Sequence, residues 1–160
     1  MKRYHMRRQE KKIKSRRELL AVIRRQNYLT LAMSRGREPY LVSLNYGYDP
    51  RRNCFYFHCA RVGKKVEYLA ANPIVWGQII EDRGYKAGQC DHYYRTVQFR
   101  GRVSFLKTHA AKVRALRLMI RHLEPRPKPH LKVLGQPKPI ANTRIGRIDC
   151  GVMSGKRSIR

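Results

Sequence analysis

The spacing of apolar and polar positions divides the chain into short elements with two different periods. Leu19, Leu20 and Ile23 share one helical face behind Ser15 and Glu18, a capping-box pair, and predict an amphipathic helix over residues 16–26. From Tyr28 the period falls to two. Residues 28–34 read as a strand, Arg35-Gly36-Arg37 as a hairpin turn, residues 39–48 as a second strand, and Asp49 to Asn53 as a further turn. A third strand opens at Cys54 with Phe55, Tyr56 and Phe57, so the three follow one another as a meander.

After Gly63 the spacing is helical over residues 64–71, with Val66 and Leu69 on one side, and Asn72-Pro73 ends it. Residues 74–81 return to strand. Residues 82–93, rich in Gly and polar side chains, predict a long loop, and residues 94–106 a long strand with Val97, Phe99, Gly101 and Val103 on one face and Arg95, Gln98, Arg100 and Arg102 elsewhere. Thr108 heads a helix over residues 109–123, with Val113, Leu116, Ile120 and Leu123 spaced to lie on a core.

Most of the prolines fall in residues 124–139, which therefore predict a loop or extended connection, and a last strand covers 143–152. The organisation is one domain over residues 15–152, preceded by a basic arm (1–14) and followed by a basic tail (153–160). Antiparallel strands with flanking helices predict a mainly β fold, a small closed or partly closed barrel of six strands.

Charge adds little to the fold and much to the choice of partner. Thirty-seven Lys and Arg against ten Asp and Glu give +27, far more than solubility asks for. Such a chain attracts polyanions of every kind, so charge alone selects neither nucleic acid nor anionic lipid. No apolar run approaches the 18 residues of a membrane span. The basic first 17 residues lack the apolar run of a secretory leader, so Cys54, Cys59, Cys90 and Cys150 are expected as reduced thiols in a cytoplasmic protein. With no C-x-x-C pair, these thiols, His58 and His92 do not form a recognisable metal motif.

The chemistry concentrates in the stretch from Cys54 to Lys65. A strand that runs through a flexible loop into Gly63, Lys64 and Lys65 brings helix-start N–H groups and two ammonium groups to one point, a site for phosphate or another anion. The plain alternative is a solvated helix start in a lysine-rich chain. His58 is the histidine placed to exchange a proton or touch a bound group; the competing reading is a strand-end side chain satisfied by backbone.

Taken together, several pieces in order carry a resemblance. They are Met6-Arg7-Arg8, Pro39-Tyr-Leu-Val-Ser-Leu-Asn-Tyr-Gly-Tyr48, Phe55-Tyr-Phe-His-Cys-Ala60 with Gly63-Lys64-Lys65, Asn72-Pro73, Cys90 with Tyr94-Arg-Thr-Val97, Gly101, and Ser154-Gly-Lys-Arg157. The chain resembles the flavin-binding split-barrel superfamily that includes pyridoxamine phosphate oxidase, and more closely its nitroimidazole-resistance-like branch. That resemblance implies a homodimer with FMN at the interface.

By position it implies that Tyr40, Leu41, Val42, Ser43, Leu44 and Asn45 run beside the flavin ring. Phe57 and His58 would flank the ribityl-phosphate end, Lys64 and Lys65 would hold the phosphate, and Arg95 and Thr96 would offer polar contacts. The implied activity is flavin-dependent reduction of a small acceptor, a nitroaromatic or quinone, with His58 as the catalytic candidate. A flavin- or haem-binding barrel without turnover, or a basic nucleic-acid-associated protein, are the alternatives. The C-terminal Trp and Arg motif of the vitamin oxidase is missing, since the one Trp is Trp76, and lysines stand where that enzyme uses arginine, which gives up bidentate contact.

Overall fold

The computed structural model describes residues 6–134 and 143–159. In chain order the elements are α1 (Arg16–Arg25), β1 (Tyr28–Arg35), β2 (Glu38–Asn45), β3 (Gly47–Asp49), β4 (Cys54–Cys59), α2 (Lys64–Ala71), β5 (Ile74–Lys86), β6 (Asp91–Phe105), α3 (His109–Leu123), α4 (Pro127–Val133) and β7 (Arg144–Ser158). The strands among the described residues form one antiparallel sheet in the order β2-β1-β5-β6-β7-β4-β3. Its two end strands are consecutive in the chain, parted by Tyr46 alone. The sheet must therefore curl until its ends meet, which makes a barrel split between β2 and β3.

The expected mainly β barrel is present with seven strands instead of six, because the second predicted strand breaks at Tyr46. That side chain is fully buried, and its hydroxyl lies 2.6 Å from the Ile23 carbonyl and 2.7 Å from that of Gln26, at the end of α1. Turning inward to reach these orphan helix-end acceptors takes Tyr46 out of the ladder. The predicted meander thus becomes two hairpins, β1–β2 and β3–β4, at opposite ends of the sheet order.

Phe55 stacks on Phe99 with ring centroids 4.5 Å apart, in a core shared with Phe57, Ile79, Val97 and Ile148. Two of these rings lie over cross-strand glycines: Phe99 opposite Gly77, and Phe57 opposite Gly146. The helices close the barrel around it. α1 contributes Val22 and Ile23, α2 contributes Tyr68 and Leu69, and α3 lies on β3 with Ala115 and Met119 buried. At Gly47 a Cβ would come within 2.7 Å of the Met119 backbone nitrogen, so glycine is what lets α3 approach.

Several other expectations are corrected. Residues 82–93 are not a long loop: the β5–β6 hairpin continues through Tyr85↔His92 and Lys86↔Asp91, and Gly84, at φ 93°, absorbs a register shift. Cross-strand pairs hold this extension together, Lys86 at 2.9 Å from Asp91 and His92 at 2.7 Å from Asp82. In the proline-rich stretch Pro127 takes the first turn of a short helix, α4, a position that tolerates its missing N–H; residues 135–142 lie outside the described residues.

The basic tail is strand to Ser158, and the described part of the arm packs beside it: Ile13 is buried, its N–H donates to the Gly155 carbonyl, and Lys12 pairs with Lys156. Residues 1–5 of the arm lie outside the described residues. Ser15 precedes α1 but its side chain makes no capping bond, and the Glu18 carboxylate accepts from Arg157 at 2.7 Å. Thr108 does cap α3, accepting from the Ala111 N–H.

Candidate functional site

Three elements converge at the start of α2. The aromatic strand β4 ends at Cys59, residues 60–63 turn the chain, and Gly63 adopts φ 130°, ψ 169°, which a side chain would strain. Its carbonyl accepts from the Val66 and Glu67 N–H groups at 2.8 and 3.2 Å. The N–H groups of Lys64 and Lys65 are the first of the helix and have no intrahelical acceptor. Together with the two ammonium groups they give a donor set suited to a phosphate.

The lysines are not equivalent. Lys64 Nζ lies 3.1 Å from Glu38 Oε1 and over the rings of Tyr40 and Tyr68 at 4.9 and 5.3 Å, and the bond to Glu38 raises its pKa. Lys65 Nζ lies 5.8 Å from the centre of the Phe57 ring, and burial lowers its pKa. The neighbouring Cys59 thiol is pushed up by burial, which outweighs the pull of Lys65 and Arg144. Beside Lys64 the Tyr68 hydroxyl is buried without a hydrogen bond of good geometry. The Glu38 carboxylate and the Lys64 ammonium are its polar neighbours, and a bound phosphate or ribityl hydroxyl would offer it a well-aligned partner.

Of the residues singled out from sequence, the structure brings together Tyr40, Phe57, Gly63, Lys64 and Lys65. Phe57 differs from expectation: its ring is fully buried in the core, leaving its backbone and the Lys65 contact at the site. His58, next along the pleat, is exposed. On β2 the side chains alternate, with Tyr40, Val42 and Leu44 toward the core and Leu41 and Ser43 exposed, while Asn45 donates to the Asn27 carbonyl at 3.1 Å. One edge of β2 pairs with β1; among the described residues no strand pairs with the other, so its backbone groups are open to a ligand.

Arg95 and Thr96 lie elsewhere. They sit on β6, three strand spacings or roughly 14 Å along the sheet from β2. Arg95 shares the core face with Val97, against the expected assignment, and its guanidinium is buried under α1 at 2.7 Å from Glu81 Oε1. Thr96 points to the outer face, into a groove of about 430 Å³ also lined by Gln78, Ile80, His92, Tyr94 and Lys156. In that groove Asp82 accepts from the Gly84 N–H at 2.8 Å and faces His92 at 2.7 Å, and these bonds hold its carboxyl below the usual range.

Glu38 and Tyr68 beside the lysines were not singled out from sequence, and of the groove residues only Thr96 was assigned to the flavin site. Glu38 and Tyr68 become visible only with the β2–α2 contact. The groove could have been found from the alternation of Trp76, Gln78 and Ile80 once their partners on β6 and β7 were known.

That alternation extends across the molecule. Leu41, Ala32, Trp76, Arg100 and Val152 form one row over five strands, with Ser43, Thr30, Gln78, Gln98 and Ser154 in the next. Leu41, Trp76, Ile80 and Val152 on this face are 64, 49, 52 and 58 % exposed, large apolar side chains set among polar ones with no helix over them among the described residues. The same residues contain no group of three or more His, Cys, Asp or Glu able to hold a metal ion and no helix long and apolar enough to cross a membrane.

A family model described as pyridoxamine 5'-phosphate oxidase matches residues 15–157. No curated protein matches the chain significantly in sequence. Among solved structures, a proposed 5-nitroimidazole antibiotic resistance protein from Bacteroides thetaiotaomicron has a TM-score of 0.76 at 20 % identity, covering 91 % of this chain and 85 % of its own. An FAD-binding protein from Mesorhizobium loti has 0.65 at 24 %, covering 90 and 95 %, and a flavocytochrome from Azotobacter vinelandii 0.81 at 16 %, covering 98 and 73 %. At these identities the likeness concerns the fold.

Proposed function

The chain belongs to the pyridoxamine 5'-phosphate oxidase family, and from that premise we propose that it is an FMN-binding oxidoreductase that reduces a small acceptor of the nitroaromatic or quinone kind. The observation that carries the reading is the Gly63–Lys65 helix start, with two ammonium groups, free N–H donors and the buried, poorly aligned Tyr68 hydroxyl beside the open edge of β2. This donor set fits a phosphate monoester. Glu38 is the poor match, since its carboxylate occupies Lys64; its side chain is 64 % exposed and has room to swing away.

A bound flavin would supply the hydride chemistry, and the chain's own part would be binding, orientation and exclusion of water. Lys64 and Lys65 hold the phosphate end and β2 offers backbone groups to the ring. His58, exposed at the end of β4, is the proposed proton donor. Thr96 and its groove lie far from these lysines within one protomer, so the site takes its polar contacts from β6 of a second copy. A homodimer would also cover the exposed apolar side chains of the outer face, Leu41, Trp76, Ile80 and Val152. The expected result of Trp76→Arg on that face is conversion of a dimer to a monomer in light scattering; a wild-type chain that is monomeric throughout would remove the dimer from the reading.

The purified full chain should absorb near about 450 nm, or take up added FMN, and be reduced by a nicotinamide donor in the presence of a nitroaromatic or quinone. A colourless protein that takes up no FMN ends the proposal. Lys64→Ala combined with Lys65→Ala should weaken FMN binding by roughly 10- to 100-fold, the loss of two charge-assisted contacts discounted for exposure. Unchanged affinity would leave the fold intact and move the phosphate site elsewhere.

A further inference from the structure

The positive charge of this chain is not used up within it. Nine of the ten acidic side chains lie within 4.0 Å of a Lys, Arg or His, yet 37 basic residues stand against those ten. The excess is dense around α3 and α4. Residues 107–134 hold eight Lys and Arg and one acid, Glu124, which faces His130 at 3.7 Å. The apolar side of α3 is committed to the barrel, where Ala115 and Met119 pack with Cys54, Tyr56 and Ile145.

Its outer side carries Arg114, Arg117 and Arg121, spaced by three and four residues and all exposed. Among the described residues no carboxylate reaches any of them. A rise of 1.5 Å per residue spreads the three over about 10 Å, and α4 packs on the same helix with Lys128 and Lys132 exposed.

We infer that this outer face of α3 and α4 is a docking surface for the phosphate backbone of nucleic acid, independent of base sequence. A stripe of about 10 Å matches some three successive phosphates of one strand, spaced about 3.4 Å along the axis. Arginine outnumbers lysine 24 to 13 in the chain, and its planar fork suits phosphate oxygens. A protein partner would want an aromatic or aliphatic anchor at the centre of the contact, but the exposed positions of α3 are His109, Ala110 and the three arginines. A lipid surface would want exposed apolar side chains to insert, and the large ones of α3 are buried or half-buried, with Val133 the one large exposed apolar residue of α4. No exposed aromatic on either helix is available to stack on a base, so the contact reads backbone alone.

The test is fluorescence anisotropy of the full chain with labelled random-sequence duplex of roughly 20 base pairs, titrated over salt, since log affinity falls linearly with log salt in proportion to the phosphates contacted. Arg114→Gln, Arg117→Gln and Arg121→Gln together should lower the magnitude of that slope by about 2–3 and weaken binding roughly 10- to 100-fold at about 0.1 M salt. The same three positions changed to Lys should keep most of the slope. A control that removes equal charge from exposed positions away from α3 and α4, Arg37→Gln with Arg51→Gln and Arg83→Gln, should leave it near wild type. Equal losses in both Gln variants, no salt-dependent binding by the wild type, or preference for phosphatidylserine vesicles over duplex would each overturn the inference. All three variants are at exposed positions, and an unchanged circular dichroism spectrum shows that they fold.

Discussion

Arg95→Leu is expected to cost about 3–5 kcal/mol of folding stability, the loss seen when one member of a buried ion pair is removed and the other stays. The side chains of Arg95 and Glu81 are only 10 and 11 % exposed and meet at 2.7 Å, so the variant leaves a carboxylate facing apolar neighbours under α1. Arg25, 3.8 Å from the same oxygen but 59 % exposed, offers partial compensation and argues for the lower end of the range. Removing both charges, in Glu81→Leu with Arg95→Leu, should recover most of the loss, because the desolvation of both ions disappears with them. Denaturant unfolding of the two variants measures the difference. A stable Arg95→Leu protein that had lost flavin affinity would instead restore the flavin contact that its family position suggests.

Gly77→Ala should cost about 3 kcal/mol and lower the melting temperature by roughly 6–12 °C for a chain of this size. An added Cβ would lie 2.0–2.6 Å from three atoms of the Phe99 ring, and that ring cannot yield freely because it is stacked on Phe55 at 4.5 Å. The strain is therefore shared with the central aromatic layer of the barrel. Pairing the change with Phe99→Leu should return part of the stability, since the smaller side chain vacates the space over Gly77. If Phe99→Leu made Gly77→Ala worse, the ring would not be the obstacle and the close approach would be misassigned.

Local signals were legible in the residues and long-range ones were not. The helices over 16–26, 64–71 and 109–123 match α1, α2 and α3 to within a residue, because their apolar spacing and flanking residues are local. Gly63, Lys64 and Lys65 were visible for the same reason. The break at Tyr46 depends on carbonyls of α1 some twenty residues away, and nothing near Tyr46 announces it. The arm and tail read as basic segments outside the domain, yet the Ile13 N–H bond to Gly155 and the Lys12–Lys156 bridge join them across nearly the whole chain length. Arg95 could have been placed from parity alone, since it shares odd numbering with Val97 and Phe99. Its polarity argued against the core face, and its partner Glu81 was hidden until the strands were in register.

The strand order also sets a timetable for synthesis. β4 hydrogen-bonds to β7 along its whole length, while its other neighbour, β3, has three residues. The 85 positions from Cys59 to Arg144 take roughly 4–17 s to translate at ordinary rates. For that interval one of the most aromatic strands in the chain leaves the ribosome with an unpaired edge and no barrel to enter. Such an edge is what templates wrong pairings, so nascent chains of this protein should lean on chaperones more than their small size implies.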